Sequence, residues 1–138
     1  MNPADIAKMQ VNGFNDRSFR TKAQNYVSDN IVVVDAASGQ ELHGLEGFKQ
    51  YAEGFVAAMP DIKGAILDQK VTGNTVVTNA RATGNFTGQL QTPQGVIPGN
   101  GNKVDLPYQL EILVENDKIV RFAATYDMQS FMGQLGLA

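Results

Sequence analysis

Cysteine is absent from the 138-residue sequence, which excludes disulfides, thiolate nucleophiles and cysteine-held metals. Histidine occurs once, at His43, so no histidine-rich metal centre or histidine pair can be assembled, and no metal is expected. Positive charge is scarce as well. Eleven Lys and Arg stand against fourteen Asp and Glu, the net charge is −3, and the basic residues nowhere cluster. A phosphate backbone needs a basic face, so nucleic acid is excluded as a partner. No stretch reaches the ~20 apolar residues of a membrane span. The opening "MNPADIAKMQVNGF" lacks the basic start and apolar run of a signal peptide. The expectation is a cytoplasmic protein without a membrane partner. The glycines of "GNFTG" and "GVIPGNGNK" lack the spacing and the strand–helix setting of a phosphate loop, and no cofactor is expected.

What is present suits one compact fold. Hydrophobic residues make up 43% and charged residues 18%, a globular balance far from that of a disordered chain. The length matches one domain, expected over residues 1–138, and a domain of this size buries roughly 68–70% of its unfolded surface. "PADIAKMQVNGFND" sets Ile6, Met9, Gly13 and Phe14 at near-helical spacing, with Pro3 and Asp5 at its start. A short helix is expected over "RTKAQNYVSD", burying Ala23, Tyr26 and Val27. "NIVVVD" is a β-branched strand, and "AASGQ" is turn chemistry. "LEGFKQYAEGFVAAMP" then carries Leu45, Phe48, Tyr51, Phe55 and Met59 at three- and four-residue steps, a long amphipathic helix that Pro60 stops.

From Asp61 the period shortens. "IKGAILDQKVTG", "NTVVTNARATGNFTG", "VDLPYQLEILVEND" and "KIVRFAATYD" read as strands, and "VENDK" as a tight hairpin connection. "QLQTPQGVIPGNGNK" reads as a surface loop or an extended edge excursion. The predicted class is α+β, a curved antiparallel sheet packed by N-terminal helices.

This layout, with "FKQYAEGFVAAMPD", "ARATGNFTG", "NDKIVRF" and "YDMQSFMGQLG", resembles the SnoaL-like polyketide cyclases, members of the nuclear-transport-factor-two-like cone-fold superfamily. The similarity covers nearly the whole chain. It implies a cone with one central pocket and a homodimer formed on the convex face of the sheet. Alternation along the strands then says what faces that pocket. Phe14, Phe55 and Met59 are expected there from the helices, with Phe86, Tyr108 and Leu110 from the middle strands. The last strand contributes Phe122, Ala124 and Tyr126. Arg81 and Asn79 fall on the opposite parity, with Glu111 as the expected partner of Arg81 across strands or across a dimer.

The resemblance also marks what has been exchanged. The cyclases place histidine where this chain has Phe86 in "GNFTG", and a pocket histidine near Leu110. Their last strand carries a histidine and an aspartate matching Phe122 and Ala124. Aldol closure needs a base for a carbon-bound proton and an acid for the carbonyl oxygen, and hydrocarbon side chains supply neither.

Asp35 is the remaining candidate base. "VVVDAASGQELHG" resembles the ketosteroid isomerase segment that carries a proton-shuttling aspartate, with the same spacing to Gly44. The two oxygen-polarising positions of those isomerases correspond to Gln10 and to Gln109 or Leu110. The plainer reading makes Asp35 a strand end that caps the following turn. His43, just before the long helix, is either an acid/base assistant at the pocket mouth or a loop-orienting residue. Asp127 reads as the N-cap of a short C-terminal helix.

Three functions stay open at this point. One is a protein binding a small hydrophobic or aromatic molecule, with the cyclase acid/base groups replaced. The second is a cofactor-free isomerase, dehydratase or cyclase with Asp35 as general base and His43 or a tyrosine assisting. The third is a non-catalytic dimeric interaction module.

Overall fold

The structure, a computed structural model, describes residues 2–137. Helix α1 (Pro3–Asn15) starts where Asn2 accepts the Asp5 backbone N–H at 2.9 Å, with proline in its first turn. Its buried face carries Ile6, Ala7, Gln10, Val11 and Gly13. The chain leaves it through Arg17, in the left-handed region at φ 67°. The Arg17 guanidinium donates to the carbonyls of Phe14 (2.7 Å), Pro60 (3.0 Å) and Ile62 (2.8 Å), joining the end of α1 to the segment after the long helix.

The second helical stretch is shorter than expected. Helix α2 spans Phe19–Lys22, a 3₁₀ turn covers Ala23–Asn25, and strand β1 (Val27–Asp35) has already begun at Val27. Ala23, Tyr26 and Val27 are nonetheless buried. Pairing of Val27 with Ile119 draws the strand start forward. Strand β2 (Gln40–His43) returns along β1 after the expected turn. It escaped the sequence reading because its residues are mostly exposed and polar, with no alternation to betray an edge strand.

Helix α3 (Gly44–Ala58) buries Phe48, Ala52 and Val56, and it ends before Pro60. Strands β3 (Lys63–Thr72) and β4 (Thr75–Asn85) form a hairpin. The segment expected as a surface loop or an extended edge excursion holds a second hairpin, β5 (Gln89–Thr92) with β6 (Gly95–Pro98), which forms its own two-stranded sheet. Leu90 and Ile97 pair across it and pack against the core. Strands β7 (Lys103–Glu115) and β8 (Lys118–Tyr126) are joined by Asn116 and Asp117, both at positive φ. That is the backbone a two-residue hairpin of matching twist requires. Helix α4 (Met128–Gln134) follows, its N-cap Asp127 accepting the Ser130 N–H at 2.9 Å.

The main sheet is curved, with strand order β2-β1-β8-β7-β4-β3. All its neighbours run antiparallel except β1 and β8, which run parallel. Even-numbered positions of β7 (Leu106, Leu110, Ile112) face inward, together with Val76, Thr78 and Ala80 of β4. The helices cover that face. On the outer face, within the chain, Arg81 pairs with Asp105 and not across strands with Glu111. Register explains the correction: Arg81 sits opposite Pro107, near Asp105, whereas Glu111 sits opposite Val77. Among the described residues, no helix is long and apolar enough to cross a membrane.

Candidate functional site

Between the inner face of the sheet and helices α1, α3 and α4 lies a cavity of about 90 Å³. Its wall is almost wholly hydrocarbon and aromatic, as in a site for a compact apolar molecule. Residues at three- and four-residue steps on α3 (Phe48, Tyr51, Ala52, Phe55) form one side, because those spacings share a helix face. Tyr108 and Leu110 of β7 form the other, directly opposite Tyr126 and Ala124 of β8. Several rings meet edge to face: Tyr51–Phe55 at 5.2 Å, Phe48–Phe122 at 5.6 Å and Tyr126–Phe131 at 5.7 Å between centroids.

At one side of this wall sits a buried acid. Asp35 ends β1, is 3% exposed, and lies beside Ala124 in the parallel register. Its two oxygens have separate tasks. Oδ1 accepts the backbone N–H of Ser38 at 2.9 Å, while the backbone carbonyl accepts that of Gly39 at 2.8 Å. Oδ2 accepts the hydroxyls of Tyr51, at 2.7 Å, and Tyr126, at 2.9 Å. One oxygen thus caps the turn and the other ties together two rings of the cavity wall. Burial, and next the hydrogen bond to Asp35, pushes the Tyr51 phenol far above its ordinary range. Burial, then the Asp35 charge, does the same to Tyr126. Both phenols therefore stay protonated and act as donors to the carboxylate.

Two further polar groups face this space. Gln10 of α1 is 6% exposed, and its Oε1 has no hydrogen-bond partner. Tyr108 has its phenol pushed up to about 12 by burial. Its hydroxyl occupies the place beside Gly64 where a Cβ would stand, 2.5 Å away.

Of the residues expected around the pocket, Phe14, Phe55 and Met59 line the cavity from the helices. Tyr108, Leu110, Phe122, Ala124 and Tyr126 line it from the strands. Phe86 is fully buried but belongs to the packed core beyond that lining. Asp35 reaches the cavity only through its two tyrosines. His43 is the N-cap residue of α3 at the end of β2, with its side chain 68% exposed, and is not among the lining residues. Tyr51 was legible in the sequence only as part of a helix stripe. A buried phenol needs an acceptor, and Asp35 is the one buried carboxylate among the described residues; that need was the available signal.

The family model described as SnoaL-like polyketide cyclase matches residues 4–135. Among solved structures, a SnoaL-like polyketide cyclase candidate from Jannaschia sp. CCS1 superposes with a TM-score of 0.87 at 16% identity, covering 99% of this chain and 92% of that one. IdmH, a polyketide cyclase candidate from Streptomyces antibioticus, gives 0.81 at 19% identity, covering 99% of each chain. A protein of ketosteroid isomerase-like fold from Catenulispora acidiphila, in complex with trimethylamine, gives 0.79 at 17% identity over 100% and 96%. At these identities the likeness establishes the fold alone. No curated protein matches the sequence.

Proposed function

The chain belongs to the SnoaL-like polyketide cyclase family, and from that premise we propose that its cavity binds a compact hydrophobic or aromatic molecule, with Tyr51 and Tyr126 as the polar anchor. The observation that carries this reading is the pairing of both phenols with the buried Asp35 Oδ2 in an otherwise apolar wall. A carboxylate buried without such donors is costly. Here it holds two rings in place and gives an apolar cavity one oriented polar spot. Leu110, Phe122 and Ala124 meet the ligand with hydrocarbon where the family resemblance implies acid/base groups, which favours binding over aldol closure.

A second reading is cofactor-free proton transfer, as in isomerisation, dehydration or cyclisation. It is favoured by the direct hydrogen bonds from wall phenols to a carboxylate. Since Asp35 is screened from the cavity, a substrate proton passes to a phenol oxygen while that phenol's own proton moves to Asp35. The acid then holds the proton until it returns by the same route. His43 takes no part in this route. In either reading we take the protein to work in the cytoplasm as a homodimer; the exposed Leu67 on edge strand β3 supports the dimer, which sedimentation velocity tests.

The test is a screen of small hydrophobic compounds by native mass spectrometry and thermal shift, with Asp35→Asn alongside. A ligand at about 100 times its dissociation constant stabilises the fold by about 2.7 kcal/mol. Binding without turnover is the expected result. Turnover abolished by Asp35→Asn selects the second reading. No binding by any compound sinks both and leaves a protein that acts through its surface.

A further inference from the structure

The polarity of the anchor says more than that a ligand binds. A tyrosine hydroxyl has one proton to donate. Tyr51 and Tyr126 both direct theirs to Asp35 Oδ2, at 2.7 and 2.9 Å. What each phenol retains for the cavity is oxygen lone pairs. Burial and the neighbouring carboxylate keep both phenols protonated, so each remains a donor to Oδ2. Gln10 adds an amide whose oxygen has no partner and whose NH₂ can donate, away from this anchor. Among the described residues lining the cavity there is no Lys, Arg or His, so no cation offsets the buried Asp35 charge there.

We propose that the cavity selects a compact ring-bearing molecule that donates a hydrogen bond, such as a phenol or alcohol, over an equally sized molecule that only accepts one. The proposal rests on the reading of the cavity as a ligand site. A hydroxyl entering the cavity donates to the oxygen of Tyr51 or Tyr126 and extends the chain of hydrogen bonds that ends on Asp35, each link polarising the next. A carbonyl or nitrile in the same position meets lone pairs and a nearby negative charge. At the anchor it gains no donor unless a phenol abandons the carboxylate, which leaves a buried charge less satisfied; the donors left to it are the Gln10 amide and the Tyr108 hydroxyl, elsewhere on the wall.

The turn at Ser38 makes the idea sharply testable through Asp35→Asn. The Ser38 N–H occupies Oδ1, so an asparagine keeps its oxygen on that side and turns its NH₂ toward the tyrosines. The amide then donates to both phenol oxygens, and the phenol protons are released toward the cavity. The substitution inverts the polarity of the anchor while hardly changing its shape.

The experiment measures phenol, benzonitrile and toluene by ligand-observed NMR and calorimetry, with toluene as the internal reference for each protein. In the native protein phenol is expected to bind roughly tenfold more tightly than benzonitrile, about the worth of one net hydrogen bond. In Asp35→Asn the order reverses, and in the Tyr51→Phe/Tyr126→Phe double variant the phenol-to-benzonitrile ratio falls to about one. Benzonitrile binding as tightly as phenol in the native protein overturns the proposal and leaves the cavity as a ligand site. A phenol preference untouched by both variants also overturns it, by placing the recognition elsewhere. Failure of all three compounds to bind sinks the cavity reading itself.

Discussion

The four tyrosines of this chain divide into two pairs that solve the same problem differently. Tyr51 and Tyr126 bury their hydroxyls against a carboxylate that accepts both. Tyr26 and Tyr108 bury theirs against glycines: a Cβ added to Gly13 would lie 2.3 Å from the Tyr26 oxygen, and one on Gly64 2.5 Å from the Tyr108 oxygen. The Tyr26 oxygen has no hydrogen-bond partner. The first pair is held by polarity and the second by shape. The difference teaches that a phenol in a wall is informative only through its partner. An anchored one reports a polar site, whereas one seated in a glycine notch reports packing.

The sharpest way to break this comparison is alkaline titration, because it threatens the whole fold. Burial, with the nearby Asp16 charge, pushes Tyr26 up to about 12, and burial alone takes Tyr108 there; Tyr51 and Tyr126 lie higher still. Each folded value lies above the ordinary 10.0, so the native state holds protons that the unfolded chain releases. Their contribution is complete below pH 10.0; that of Tyr26 and Tyr108 is lost as pH rises through about 12, and that of Tyr51 and Tyr126 higher still. Tyrosinate absorbance and loss of circular dichroism should therefore appear in one cooperative transition. Absorbance that rises near the ordinary pKa with the fold intact would show the hydroxyls to be in water.

Single hydroxyl deletions come next and should differ in sign. Tyr51→Phe strips a charge-assisted bond from Asp35 and should cost about 1.5–3 kcal/mol in urea unfolding. Tyr26→Phe removes a buried hydroxyl without a partner and should be neutral or stabilise by about 1 kcal/mol. Equal losses in both would erase the distinction between the pairs. The smallest effect refines the shape side. Gly13→Ala should be better tolerated in the Tyr26→Phe protein than in the native one. The ring Cζ, 3.1 Å from the added Cβ, still takes back part of the roughly 0.5–1 kcal/mol helical advantage of alanine over glycine. In the native background the clash with the hydroxyl should offset that gain.

Periodicity made the fold legible wherever one face of an element is buried. The stripe of α3 and the even positions of β7 declare themselves, as do Pro60 and the Asn116–Asp117 turn. It failed where burial is partial. Strand β2 is mostly exposed along its length, and the β5–β6 hairpin inserts only Leu90 and Ile97 beneath a run rich in glycine and proline. Asp35 stood out as an acid ending an apolar strand, with turn capping and a role at the cavity offered as rivals. Each of its oxygens takes one of those parts, a division that depends on atoms and not on residue order. Tyr51 was hidden because its partner lies sixteen residues away on another element, beyond any local pattern.

One consequence of the topology concerns direction. The single parallel pair in the main sheet, β1 with β8, brings two C-terminal strand ends to the same rim: Asp35 closes one strand and Tyr126 the other. Had β1 run against β8, Asp35 would stand near Lys118, about 26 Å from Tyr126 at the rise of an extended strand. The meeting of acid and phenol is therefore a matter of polarity of travel. A chain reversal anywhere between these strands, with every side chain retained, would dissolve the anchor.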